Sequence, residues 1–171
     1  MRRVEIALIA ICFLLPIRVT AQDWGPLQFL LGTWTTDQPS TGGRAQGTGS
    51  FSFSPDLQGK VLVRKSFAEY PPENGKPAYR HDDLMIVYHD GDGHLHASYF
   101  DNEEHVIEYT VQPSADGVAF ESQGPPGAPR YRLSYASVGA DHAKLKFEIA
   151  PPGKDFATYI EATVHREGPA K

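Results

Sequence analysis

Ala143-Lys144-Leu145-Lys146-Phe147-Glu148-Ile149-Ala150 alternates apolar with charged residues without a break. Successive side chains of a β-strand point to opposite faces, so this stretch reads as a strand with one face in a core and one in water. A helical period would scatter Leu145, Phe147 and Ile149 around the axis and bury nothing coherent. The same alternation recurs along the chain, in runs separated by Gly, Pro, Asn and Asp. Strands are expected near 33–37, 47–54, 60–70, 82–90, 94–101, 105–113, 117–123, 130–138, 143–150 and 157–166. So many short strands at even spacing cannot remain one open twisted sheet, which points to closure. The expected fold is all-β: a ten-stranded antiparallel up-and-down barrel, with a two-sheet sandwich as the alternative. Only Trp24–Leu31 reads as a helix, with Pro26 near its start and Gly32 as its stop.

Alternation also assigns faces. Phe51 and Phe53 are expected inside, with Val61, Val63 and Phe67, then Leu84, Ile86 and Tyr88. Ile107, Tyr109 and Val111 follow, then Val118 and Phe120, then Tyr131, Leu133 and Tyr135. Leu145, Phe147, Ile149, Ile160, Ala162 and Val164 complete the interior. Arg64, Asp83, Glu108, Arg132, Lys144, Lys146, Glu148, Glu161 and His165 are expected outside.

The chain has 171 residues, a net charge of −5 and a single cysteine. An acidic chain without a basic face excludes nucleic acid as a partner, and one cysteine excludes a disulfide framework. Met1-Arg2-Arg3, the apolar run Ile6–Leu15 and the small residues ending at Ala21 read as a secretory signal, too short to span a bilayer. Its removal takes Arg2, Arg3, Arg18 and Glu5, leaving a mature chain of net charge −7 without cysteine. Residues 22–171 then form one domain, expected in the periplasm or outside the cell and not associated with membrane.

Phe29-Leu30-Leu31-Gly32-Thr33-Trp34 resembles the Gly-x-Trp signature opening the first barrel strand of calycins: lipocalins, fatty-acid-binding proteins and nitrobindins. Gly47-Thr48-Gly49, Leu57–Arg64, Arg80–Met85 and Phe147–Gly153 are similar to an uncharacterised secreted bacterial branch with the same barrel. The resemblance implies a small-ligand barrel. It supplies no named ligand, because the family's sites are altered here. The haem-ligating His of nitrobindins has Tyr159 as its nearest match, and Thr35-Thr36-Asp37-Gln38-Pro39 replaces their glycine-rich continuation. The Arg-x-Tyr carboxylate clamp of fatty-acid-binding proteins falls where this chain reads Glu161–Arg166.

Among chemical candidates, His94-Leu95-His96 has the i, i+2 spacing of a strand chelate. A register filling the interior with Leu95, Ala97 and Tyr99 sends both histidines to solvent, whereas the reverse buries His94, His96 and Ser98 in an apolar core. The first is expected, and with it no metal site. His81-Asp82-Asp83 reads as a solvated strand end, an acid/base pair at the barrel mouth being the alternative. Asp90-Gly91-Asp92-Gly93 is a hairpin turn, since it lacks the later ligands of a calcium loop. His105, His142 and His165 are expected at the surface, and Trp34 at the closed end. No serine sits in a Gly-x-Ser-x-Gly elbow, so no catalytic residue is assigned.

Five tyrosines on the expected inner face, Tyr88, Tyr99, Tyr109, Tyr131 and Tyr135, together with Lys65, form the candidate ligand-binding set. Buried hydroxyls call for partners, and a lumen lined with them suits a small apolar or amphipathic molecule with a polar end. The expected function is encapsulation of such a molecule, without a cofactor; haem held by Tyr159 or His96 is the alternative. An acid/base enzyme in the same cavity and a filled-core interaction module are the other readings.

Overall fold

The strand boundaries follow the punctuation of the sequence. The computed structural model describes residues 23–37, 41–42, 47–73 and 75–168, and the leader expected over 1–21 lies outside them. The strands are β1 (Gly32–Thr36), β2 (Thr41–Gly42), β3 (Thr48–Asp56), β4 (Val61–Tyr70), β5 (Tyr79–His89) and β6 (Leu95–Asp101). They continue with β7 (Val106–Pro113), β8 (Gly117–Ser122), β9 (Arg130–Ser137), β10 (His142–Ala150) and β11 (Ala157–Arg166). Each long strand pairs antiparallel with the next, and β1 closes the circle on β11 through Thr36↔Val164. The two-residue β2 pairs farther along β11, at Ile160↔Gly42, and continues the stave that β1 begins. Among the described residues, ten antiparallel staves thus form a closed barrel, sealed by the pairing of β1 with β11. Among the described residues no helix is long and apolar enough to cross a membrane.

The expected helix is a single six-residue 3-10 turn, Gly25–Leu30. It closes one end of the barrel by inserting Leu27 and Leu30, both without solvent contact. Its orphan carbonyls find partners, as buried helix ends require: the Trp34 indole Nε1 donates to Leu30 O at 2.9 Å and Arg166 Nη2 donates to Phe29 O at 2.7 Å. The Arg166 guanidinium also lies over the Trp34 ring, 4.4 Å from its centre. Above this plug, Phe51, Phe53 and Phe120 pack around Tyr135 with ring centres 5.1–6.3 Å away. The closed half is therefore filled among the described residues, and the other half has room for a ligand.

Two strands are turned opposite to expectation. β3 meets β4 with Asp56↔Val61, so Phe53 lies opposite Arg64 and Phe51 opposite Ser66. Cross-strand partners share a face, and with the two phenylalanines inside, Leu62 and Arg64 are inside too. Val61, Val63, Lys65 and Phe67 face out. β5 follows: Arg64 pairs with Met85 and Leu62 with Val87, while Leu84, Ile86 and Tyr88 lie on the outer surface. The apolar runs Val61–Val63 and Leu84–Tyr88 carry hydrophobic residues on both faces, so alternation alone does not fix their orientation. β6 does face as expected, with Ala97 opposite Val87 and Tyr99 opposite Met85.

Gly49 shows how closely the staves approach at the open end. A Cβ there would sit 2.3 Å from Phe67 O, so only glycine fits.

Candidate functional site

The open half of the barrel encloses a cavity of about 620 Å³, within the range of small-molecule sites. Its far wall is apolar: Leu133 from β9, Leu145, Phe147 and Ile149 from β10, Ile160 and Ala162 from β11. Tyr131 stacks on Phe147 nearly parallel, with centres 6.2 Å apart, and Tyr159 meets the same ring edge-on. Tyr159 owes its place to a register shift: Phe147 pairs with Ile160 and Glu148 with Thr158, leaving Tyr159 unpaired between them. Such a bulge re-aims a side chain, and here the consecutive residues Tyr159 and Ile160 both line the cavity.

The facing wall, from β4, β5 and β6, is polar. Arg64 is 4 % exposed and forms an ion pair with Asp83, while its Nε donates to the Tyr135 hydroxyl at 2.8 Å. Burial alone would lower the Arg64 pKa, but Asp83, with help from Tyr135 and Tyr99, raises it, so the guanidinium stays charged. Burial pushes the Tyr135 phenol up to about 12 against the opposing pull of Arg64. Tyr99 moves up strongly, through burial and then the carboxylates of Asp83 and Asp101, which keeps its proton available for donation. The Tyr99 hydroxyl donates to Asp101 Oδ2 at 3.2 Å and lies 3.0 Å from His81 Nε2.

At the rim, Asp101 anchors the β6–β7 turn. Its Oδ1 accepts from the backbone N–H groups of Glu103 and His105, both at 2.9 Å, and its Oδ2 lies 2.9 Å from the His105 ring. Burial opposes the Asp101 charge, yet these bonds outweigh it and hold the carboxyl below its usual range. Glu103 accepts from the Tyr79 hydroxyl at 2.6 Å. Asp83 lies opposite Asp101 at the end of the β5–β6 ladder, and in the turn beyond it Glu103 Oε1 lies 3.9 Å from His81 Nδ1. His81, Asp83, Tyr99, Asp101 and Glu103 all line the cavity.

Of the expected ligand-binding set, Tyr99, Tyr109 and Tyr131 line the cavity. Tyr135 is buried beneath it as the partner of Arg64. Lys65 and Tyr88 do not face the lumen: Lys65 is exposed between Ser52 and Leu84, and Tyr88 stacks on His96 at 6.1 Å on the outer surface. Both are displaced by the reversed facing of β4 and β5. The same reversal brings Arg64 and Asp83 inside, against expectation, and makes His81 part of the cavity wall, not a solvated strand end. His94 and His96 lie outside, where His96 Nε2 contacts Asp90 Oδ2 at 3.0 Å. His96 therefore cannot ligate haem in the lumen. Tyr159 does line the cavity, but the acids around the rim (Asp101, Glu103, Glu104) do not suit the carboxylates a porphyrin carries. Sequence reading missed Asp101 and Glu103, although the inward facing of Tyr99 already implied Asp101 two residues on.

No family model matches the chain, and no curated protein matches it in sequence. Its fold does match a solved one. An S-type phycobiliprotein lyase from Guillardia theta superimposes with a TM-score of 0.51 at 12% identity, over 84% of this chain and 92% of that one. That likeness carries the barrel fold alone. A protein of unknown function from the DUF3598 family of Nostoc punctiforme aligns at 8% identity over 86% of this chain and all of its own, with a TM-score of 0.31.

Proposed function

We propose that this barrel encapsulates a small, largely apolar molecule with a polar end that donates hydrogen bonds or carries positive charge. The observation that carries this reading is the lumen of about 620 Å³, apolar on the β9–β11 side and carboxylate-rich on the β5–β6 side. Burying about 300 Å² of apolar ligand surface supplies roughly 7 kcal/mol, before the cost of immobilising the ligand. Asp101 and Glu103 then orient the polar end. The hydrogen-bonded His81–Tyr99–Asp101 chain also supports acid/base chemistry, but binding requires only the lumen and is the preferred reading.

N-Phenyl-1-naphthylamine, a neutral fluorophore, tests it. One molecule per chain is expected to bind with enhanced emission, and Ala162→Trp, which fills the lumen, is expected to abolish binding while the variant stays folded. Absence of saturable binding, or binding unchanged in Ala162→Trp, overturns the proposal. We further propose that residues 1–21 are removed on export to the periplasm or beyond. An exported protein starting at Gln22 by intact mass is expected, and a full-length mass contradicts this.

A further inference from the structure

The hydrogen-bond directions at the rim leave one lone pair without a donor. Asp101 only accepts, so the Tyr99 hydroxyl donates to it, and the Tyr99 oxygen accepts from His81 Nε2–H. Asp83 Oδ2, 3.9 Å from the same nitrogen, favours a proton there as well. The remaining nitrogen, His81 Nδ1, is then an acceptor. It is shielded from solvent, has no hydrogen-bond partner among the described residues, and has the Glu103 carboxylate 3.9 Å away. A buried lone pair facing acceptors is unfavourable for protein groups alone and matched by a cation.

Among the described residues, His81, Asp101 and Glu103 form one group whose ligand atoms all lie within 4.8 Å of one another. We propose that these three residues form a binding site for a divalent first-row transition metal at the mouth of the cavity. One imidazole with two carboxylates suits zinc, manganese, iron or cobalt better than calcium, which takes six to eight oxygens, or magnesium. Three protein ligands leave a coordination position open, and the cavity lies beside it. Tyr99 and His105 act as positioning residues. Tyr99 fixes the His81 tautomer, and the His105 ring, 2.9 Å from Asp101 and 3.8 Å from Glu103, steers the two carboxylates. Where the binding reading above holds, the open position is where the polar end of the ligand coordinates; the metal site itself does not depend on that reading.

The test is titration of EDTA-treated protein with Co²⁺, followed by its visible absorption, with no lumen probe present. One Co²⁺ per chain is expected, with the spectrum of a four- or five-coordinate ion. His81→Ala and Glu103→Gln are each expected to weaken binding by more than about 100-fold, the upper end of what loss of an outer partner costs. Tyr99→Phe is expected to weaken it by about 10-fold through the lost tautomer control. His96→Ala, on the outer face beside Asp90, is expected to leave binding unchanged. Glu103 lies in a surface turn, so Glu103→Gln reports even where His81→Ala misfolds. Absence of stoichiometric uptake, uptake indifferent to Glu103→Gln, or uptake lost with His96→Ala overturns the proposal. Fluorophore binding to the lumen is read separately, so failure of either proposal is distinguishable from failure of the other.

Discussion

The β9–β11 wall and the β4–β6 wall of this barrel are built from similarly alternating strands, yet they are turned opposite ways. On β10 and β11 the interior receives Leu145, Phe147, Ile149, Ile160 and Ala162, while Lys144, Lys146, Glu148 and Glu161 face out. On β4 to β6 the interior receives Arg64, His81, Asp83, Tyr99 and Asp101, and the outside carries Val63, Leu84, Ile86 and Phe100. The first wall follows the solvent rule and stabilises the barrel by burial. The second opposes it, and a polar group moved inward against hydration cost requires a compensating network. That network runs from Asp83 through Arg64 to Tyr135 below, and from His81 through Tyr99 to Asp101 at the rim. Chemistry is concentrated in the wall that departs from the usual pattern.

The sharpest way to break this contrast is to remove one charge from the polar wall. Arg64→Ala leaves Asp83 buried and unpaired and is expected to cost about 3–5 kcal/mol, lowering the melting temperature by roughly 10 °C. The double variant Arg64→Met/Asp83→Leu is expected to recover most of that loss, because no lone charge remains. Thermal unfolding checks both. In the apolar wall, Leu133→Ala is expected to cost about 2 kcal/mol, the low end for such truncations, because Leu133 already borders open space.

The fold was legible where alternation was clean. Ala143–Ala150 places its strand and its faces at once, and the ten staves follow from similar runs. Facing was not legible in Val61–Val63 or Leu84–Tyr88, where consecutive apolar residues satisfy either orientation. The four-residue connection Leu57–Lys60 decides it, because Asp56 pairs with Val61 and the parity of every later residue on β4 and β5 follows. Polar residues on those strands look like surface when alternation is the guide, so Arg64 and Asp83 are assigned outside, and His81 with Asp83 enters only as the alternative of an acid/base pair at the mouth. Asp101, the last residue of β6, was within reach by parity from Tyr99, whereas Glu103 lies in the turn that follows, where acidic residues draw no attention.

Smaller effects sharpen the comparison further. The Asp101 carboxyl is held below its unfolded value, so its contribution is complete above the ordinary carboxylate range, near pH 4, and is lost as pH falls through its folded pKa. Stability measured against pH is expected to decline on that acid limb, and Asp101→Asn is expected to flatten it at the cost of lower stability at neutral pH. The smallest change is expected at Ile86→Thr on the outer face of β5, within about 1 kcal/mol in denaturant unfolding. A loss as large as that of Leu133→Ala would show that this outer face is packed against something in solution.

The most direct measurement is a methyl and imidazole NMR map of the protein saturated with N-phenyl-1-naphthylamine. The largest shifts are expected at the methyls of Leu133, Leu145, Ile149 and Ile160, with the His81 ring responding across the cavity. Shifts confined to Val63, Leu84 and Ile86, with the lumen methyls unmoved, would contradict a ligand seat between the two walls.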